Sequence, residues 1–211
     1  MNKPLLAVIL LFPILIALVL IFANNKAAKT QTSDVNISDD KNQSLPPIQV
    51  DKNKKYTAVL NTTEGKILIE LNVSQVPITV NNFVSLSKKG FYNNTIFHRV
   101  INNFMIQGGD PAGDGSGGPG YTFSDEPFEG NYTRGTVAMA NRGPNTNGSQ
   151  FFIIQKDQDL PKNYVKFGRV AEGIEVVDKI AEGEVTTNYG GEKSKPVNPV
   201  KIESVEIIES E

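Results

Sequence analysis

The residues best placed to do chemistry stand together in "FHRVINNFMIQGGD", residues 97–110. They are His98, the only histidine of the chain, and Arg99 beside it. Phe97, Val100, Ile101, Phe104, Met105 and Ile106 surround them. A guanidinium in apolar company needs a partner or a ligand, and no Asp or Glu occurs in this stretch before Asp110. Neighbouring side chains of a strand point to opposite faces, so His98 faces away from Arg99. His98 is read as a buried, hydrogen-bonded histidine. Arg99 is read as a cation whose donors are left free for a ligand, with pairing to an acid distant in sequence as the alternative.

A second stretch belongs with the first. "MANRGPNTNGSQFFI", residues 139–153, starts as a strand, crosses a Gly-, Pro- and Asn-rich loop and returns as a strand. Gln150 and Phe152 are two apart and share a face, as do Met105 and Gln107. Asn102-Asn103 is a turn that folds Phe104 back toward Arg99. The outcome is an apolar patch of Phe104, Met105 and Phe152, with amides from Gln107, Asn141 and Gln150 and one fixed cation. Such a surface suits an extended peptide bearing an apolar side chain. A plain sheet core is the alternative, because apolar alternation is what any strand shows.

Other chemistry is excluded or disfavoured. With no cysteine there is no disulfide, thiol nucleophile or thiolate metal site. A single histidine argues against zinc catalysis and His-paired nucleophiles. With 21 basic against 23 acidic residues, the basic excess of a nucleic-acid binder is missing. "GDGSGG", residues 113–118, fits a dinucleotide pattern, but Pro119 and more loop follow where a helix should open. Asp110, Asp114, Asp125 and Glu126 do not have calcium-loop spacing. Ser149 lacks the G-x-S-x-G setting of a nucleophile. No metal and no cofactor is expected.

The elements that must position these residues are legible in outline. "YTAVLNT" and "KILIEL" are strands joined at Thr63-Glu64-Gly65. "VPITVNNFVSLSKKG" changes to helical spacing, with Pro77 in the first turn and Gly90 as stop. Short strands are expected near 96–100, 104–107, 135–139, 150–154 and 166–170. "GIEVVDKIAEG", residues 173–183, is a second helix, and "VKIESVEII" a closing strand. Eight strands and two separated helices predict a mainly β fold, a closed eight-stranded antiparallel barrel with two capping helices.

Two zones precede that domain. Residues 5–23 form an uncharged apolar run of 19, near the ~20 needed to span a bilayer, so residues 1–23 are read as a membrane anchor. Cleavage near "NNKAAK" is the alternative and would yield a secreted chain. Lys3 with the amino terminus balances Lys26 with Lys29, so flanking charge does not orient the run. Asn-x-Ser/Thr sequons starting at Asn36, Asn42, Asn61, Asn72, Asn93, Asn131 and Asn147 lean toward an extracytoplasmic domain. Residues 24–54 are polar and read as a flexible tether, with "LPPIQV" at 45–50 as its stiffer end. Residues 55–211 are read as one domain.

The two signature stretches closely resemble those of the cyclophilin family of peptidyl-prolyl cis-trans isomerases. "FGRV" at 167–170 and the closing strand also fit, so the resemblance covers most of 55–209. It implies the barrel with two helices and a non-covalent isomerisation of X-Pro bonds that assists protein folding. By the same resemblance Arg99 is the catalytic arginine. Phe104, Met105, Phe152 and Leu160 line a proline pocket, while Gln107, Ala140, Asn141 and Gln150 contact the peptide backbone. On the rim, Asp159 stands where many members have Trp, Tyr164 where many have His, and Arg142 where many have a small residue. These departures imply weaker binding of cyclosporin-type inhibitors. The expected partners are proline-containing polypeptides and, through the N-terminal run, a membrane; the chain is expected to be a monomer. A proline-reading module without the rate is the alternative, against which Arg99, Phe104 and Gln107 count.

Overall fold

The computed structural model describes residues 44–211. The anchor expected at 1–23 and the tether as far as 43 lie outside the described residues. Among the described residues no helix is long and apolar enough to cross a membrane.

Eleven strands and two helices follow one another: β1 (Lys55–Thr62), β2 (Gly65–Leu71), α1 (Pro77–Lys88), β3 (Thr95–Ile96), β4 (Arg99–Ile101), β5 (Met105–Gly108), β6 (Thr136–Met139), β7 (Phe151–Ile154), β8 (Lys166–Glu172), α2 (Ile174–Ala181), β9 (Val185–Thr187), β10 (Lys193–Pro196) and β11 (Lys201–Ser210). Nine strands form one antiparallel sheet in the order β3-β11-β1-β2-β8-β6-β7-β5-β4, and β9 with β10 forms a separate ribbon. The mainly β fold with two helices agrees with the expectation. The closed eight-stranded barrel does not: the sheet is an open half-barrel.

The reason lies at Phe97-His98. The strand expected at 96–100 breaks there, because Phe97 N–H donates to Val200 O (3.0 Å) on one side and His98 N–H donates to Gln107 O (3.0 Å) on the other. The chain passes from one end of the sheet to the other within two residues. A single bridge, Ile96 with Asp110, stands where a closing ladder would be.

The concave face is filled by a core of alternating strand residues such as Leu60, Ile67, Ile69 and Phe167, all fully buried. Phe83 of α1 packs into it at ring-centroid distances of 5.1 Å from Tyr92, 5.6 Å from Phe151 and 5.2 Å from Phe167. Helix α1 begins at Pro77 and has no side-chain cap from Val76. Glu126 supplies one from a distant loop, accepting from the backbone N–H of Ile78 (3.0 Å) and Thr79 (2.6 Å). A carboxylate there satisfies orphan donors and the positive end of the helix. At the far end Gly90, at φ +69°, sends its N–H to Ser87 O (2.9 Å) and Phe91 N–H reaches Leu86 O (3.0 Å), a left-handed stop of the expected kind.

The stretch at 45–50 lies against α1. Buried Asn81 donates its Nδ2 to Pro46 O (3.2 Å) and Pro47 O (3.0 Å) and accepts Gln49 N–H at 2.8 Å. Val50 is buried and Leu45 packs on the core. The ordered fold therefore reaches back beyond residue 55.

Candidate active site

Four strands carry the site in register. Arg99 of β4 pairs with Gln107 of β5, Gln107 with Phe152 of β7, and Phe152 with Ala138 of β6. Directly paired residues share a face of the sheet, so Arg99, Gln107, Phe152 and Ala138 form one rung. The adjoining rung holds Ile101, Met105 and Ile154. The turn expected at Asn102-Asn103 exists: Asn103 adopts φ +61° and Phe104 N–H returns to Ile101 O at 3.1 Å.

On this face Met105, Phe152, Ala138, Ile154 and Tyr132 form an apolar cluster distinct from the main core. Phe104, Ala140, Leu160 and Tyr164 surround it, half-buried. The Phe152 and Tyr164 rings meet edge to face, centroids 5.5 Å apart at 86°. The structure thus brings Phe104, Met105, Phe152, Leu160 and Tyr164 together, a buried floor with an open rim. Tyr132, which the sequence did not single out, belongs to the floor. Its hydroxyl donates to Tyr164 O (2.8 Å) and accepts Tyr164 N–H (3.0 Å), fixing the 160–165 segment as a wall. Nothing in the sequence near Tyr132 signals this.

A polar relay crosses the same face. Arg99 Nη1 donates to Gln107 Oε1 (3.3 Å), Gln107 Nε2 to Gln150 Oε1 (3.0 Å), and Gln150 Nε2 to the carbonyls of Gly115 (3.0 Å) and Gly117 (2.9 Å). Arg142 Nη2 reaches the carbonyls of Gly115 and Ser116, both at 3.0 Å. The "GDGSGG" loop is therefore a wall whose carbonyls face side-chain donors. Asp110 supports it from behind, accepting N–H groups of Ala112 (2.8 Å), Asp114 (3.1 Å) and Gly115 (2.6 Å). Between this loop and residues 140–150 lies a cavity of about 490 Å³, lined in part by Gln107, Ala140, Asn141 and Gln150. The Asn141 side chain is engaged elsewhere, donating to Asn163 O (2.7 Å) and accepting Gly143 N–H (3.2 Å).

Here one alternative left open by the sequence is realised and one expectation fails. Arg99 does have an acid: Glu192, just before β10, takes Nε on Oε2 (2.7 Å) and Nη2 on Oε1 (2.8 Å). The Arg99 hydrogen bonds hold the Glu192 carboxyl down at about 2. The acid lies 93 residues away in sequence, in a ribbon whose polar composition gave no strand pattern. The one available signal was "TNYGGE", turn residues between two short runs. His98 is half-buried where a buried ring was expected, and among the described residues neither ring nitrogen has a hydrogen-bond partner. Burial lowers its pKa, which keeps the ring neutral near pH 7. Ser149 is structural, its hydroxyl donating to Gly109 O at 2.7 Å.

The family model described as "Cyclophilin type peptidyl-prolyl cis-trans isomerase/CLD" matches residues 57–207. A probable peptidyl-prolyl cis-trans isomerase B of Mycobacterium leprae is 44% identical over 168 residues, which is 72% of this chain and 56% of that protein. The chain thus spans about half the length of the mycobacterial relatives it matches. A peptidyl-prolyl cis-trans isomerase-like 1 of Mus musculus is 45% identical over 152 residues, 68% of this chain and 87% of that protein. A crystal structure of a Cryptosporidium parvum cyclophilin type peptidyl-prolyl cis-trans isomerase superposes with a TM-score of 0.65 at 38% identity, covering 73% of this chain and 98% of the other. A second crystal structure of that parasite protein was obtained in the presence of the dipeptide Ala-Pro. With the signature stretches on one rung of the half-barrel and the family model spanning nearly all of its sheet, the chain belongs to the cyclophilin-type peptidyl-prolyl cis-trans isomerase family.

Proposed function

We propose that the chain accelerates cis–trans rotation of X-Pro bonds in polypeptides, with Arg99 as the catalytic residue. The observation that supports this best is the position of Arg99 Nη1. It sits at the edge of the apolar floor, 3.9 Å from Met105 Sδ and 3.3 Å from Gln107 Oε1. Phe104, Met105, Phe152, Leu160 and Tyr164 receive the proline ring; Gln107, Ala140, Asn141 and Gln150 meet the peptide backbone.

The chemistry follows from the amide. Resonance keeps it planar behind a barrier of ~18–20 kcal/mol. The two X-Pro isomers are close in energy yet exchange over tens to hundreds of seconds. At the twisted transition state resonance is lost and the prolyl nitrogen regains its lone pair. A fixed donor at that nitrogen favours the twisted form over either planar form, which is what lowers the barrier. Arg99 offers its N–H donors in a fixed planar fork. The floor holds the ring in an apolar setting where the hydrogen bond gains strength. No covalent intermediate and no cofactor is needed. A protease-coupled or NMR exchange assay on a proline peptide tests the proposal, and absence of acceleration overturns it.

In this reading residues 1–23 anchor the chain in a membrane with the isomerase domain on the extracytoplasmic side. The 19-residue apolar run and the sequons support it. Protease protection of intact vesicles decides the side.

A further inference from the structure

We propose that Glu192 is a positioning residue for Arg99: its carboxylate occupies the Nε–Nη2 edge of the guanidinium and thereby leaves Nη1 as the donor presented to the prolyl nitrogen. The proposal rests on the isomerase reading and deepens it.

The guanidinium has two usable sides. Glu192 takes one in a bidentate pair at 2.7 and 2.8 Å. Nη1 lies on the other, over Gln107 and Met105. A long arginine stem on a strand would otherwise sample many rotamers, and only those with Nη1 over the floor are productive. A bidentate carboxylate fixes both the direction and the plane of the fork.

Glu192 is itself held. Asn188 Oδ1 accepts the N–H groups of Gly190 (2.9 Å) and Glu192 (3.0 Å), and Asn188 N–H donates to Glu192 O (2.8 Å). Asn188 Nδ2 reaches Ser194 Oγ (3.2 Å), and Ser194 is buried. Below the turn β9 and β10 pair from Lys193 with Thr187 to Pro196 with Val185, and β10 runs beside β4. The ribbon has one fully buried side chain, Ser194, and sets only the half-buried Val185 against the main core. Its principal contact with the site is the acid at its tip.

A surface ion pair of no functional consequence is the competing account, and such pairs contribute little to stability. A second opposing effect is neutralisation, since a carboxylate beside the guanidinium lowers the net positive charge at the site. The prolyl nitrogen gains a lone pair and no full charge at the twisted state, so a directed hydrogen bond outweighs net charge there.

The test compares wild type, Glu192→Ala, Glu192→Gln, Asn188→Ala and Arg99→Ala in an exchange assay that separates kcat from KM, with the Arg99 Nε–Hε resonance followed by NMR. The proposal expects kcat of Glu192→Ala to fall about 10- to 100-fold with KM within twofold, and the downfield carboxylate-bonded Nε–Hε signal to vanish. Glu192→Gln, keeping one acceptor, falls between. Asn188→Ala, which leaves the carboxylate but loosens its turn, shifts kcat in the same direction and serves if the Glu192 variants fail to fold. Wild-type or higher kcat in folded Glu192→Ala, with Arg99→Ala inactive, overturns the proposal and leaves the isomerase reading standing. An inactive wild type overturns the isomerase reading itself.

Discussion

Gln107 stands directly opposite Arg99 in the β4–β5 ladder, and its side-chain oxygen accepts from Arg99 Nη1 at 3.3 Å. The donor assigned to the prolyl nitrogen is therefore also steadied from the sheet, by the residue paired with Arg99. Arg99→Ala should lower kcat/KM about 100-fold or more, ~2.7 kcal/mol of transition-state stabilisation, with the fold intact. Arg99→Lys should also be poor, because an ammonium on a flexible stem cannot engage Glu192 and Gln107 and still present a planar donor. Recovery of most of the rate by Lys in the exchange assay would show that charge alone suffices.

Tyr132→Phe tests the wall of the pocket. Removing the hydroxyl leaves Tyr164 O and N–H without their partner, at a cost of about 1–2 kcal/mol. Thermal or denaturant unfolding should show that loss. Kinetics should show a raised KM with kcat largely kept, since the wall contacts substrate and not the reacting nitrogen.

The N-terminal edge of the domain makes a stability prediction. Residues 55–211 should fold and keep the rate, but be less stable than residues 44–211 by about 2–4 kcal/mol. The cause is Asn81, fully buried, which loses the partners that Pro46, Pro47 and Gln49 provide. Denaturant titration of the two lengths measures the difference; equal midpoints would mean that α1 satisfies Asn81 in another way.

Catalytic efficiency should be nearly flat from about pH 6 to 9. Glu192 is held at about 2, far below this window. His98 sits below its ordinary value through burial and, by the alternation of neighbouring residues, faces away from Arg99. Stability should behave differently. With the folded pKa of His98 below the unfolded ~6.5, the unfolded chain binds the proton first, so stability falls as pH drops below about 6.5. His98→Gln should remove that slope. A step in kcat/KM near neutrality that vanishes in His98→Gln would instead move the chemistry from Arg99 to its neighbour.

Asp159→Trp should tighten binding of cyclosporin-type inhibitors about tenfold or more, since aromatic anchors supply ~2 kcal/mol at such rims. Asp159 and Leu160 line a cavity of about 300 Å³ with Tyr132 and Gln158, which offers an indole space. Inhibition curves of the two proteins measure it, and equal sensitivity would rule out the rim as the determinant.

Both helices, the β1–β2 hairpin and the β4–β5 turn were legible because each rests on local signals: periodicity, Pro77, Gly90 and Asn102-Asn103. Met105 with Gln107 and Gln150 with Phe152 were legible because alternation places each pair on one face, and Phe104 because the Asn102-Asn103 turn folds it back toward them. What the sequence hid was non-local. The break at Phe97-His98 depends on hydrogen bonds to Val200 and Gln107, which no window of sequence contains. Asn81 reads as an ordinary polar helix residue until Pro46 and Pro47 lie beside it. Glu192 reads as one of many surface acids, and an arginine without a neighbouring acid proved to have a distant one. His98 was expected to be hydrogen-bonded on general grounds, and the Gly115 turn packed beside its ring instead supplies no partner.

The shared rung of Arg99, Gln107, Phe152 and Ala138 also bears on how the protein breathes. Amides in the middle of a many-stranded sheet exchange with solvent only when the sheet opens as a whole, whereas a two-stranded ribbon that buries little apolar surface opens by itself. The backbones of Gln107, Phe152 and Ala138, on the inner strands β5, β7 and β6, therefore belong to the last unit to open, Glu192 on the separate ribbon to the first, and Arg99 on the edge strand β4 stands between them. Momentary fraying of the ribbon would release the guanidinium while the floor beneath it stays assembled, so the site can lose its aim without losing its shape.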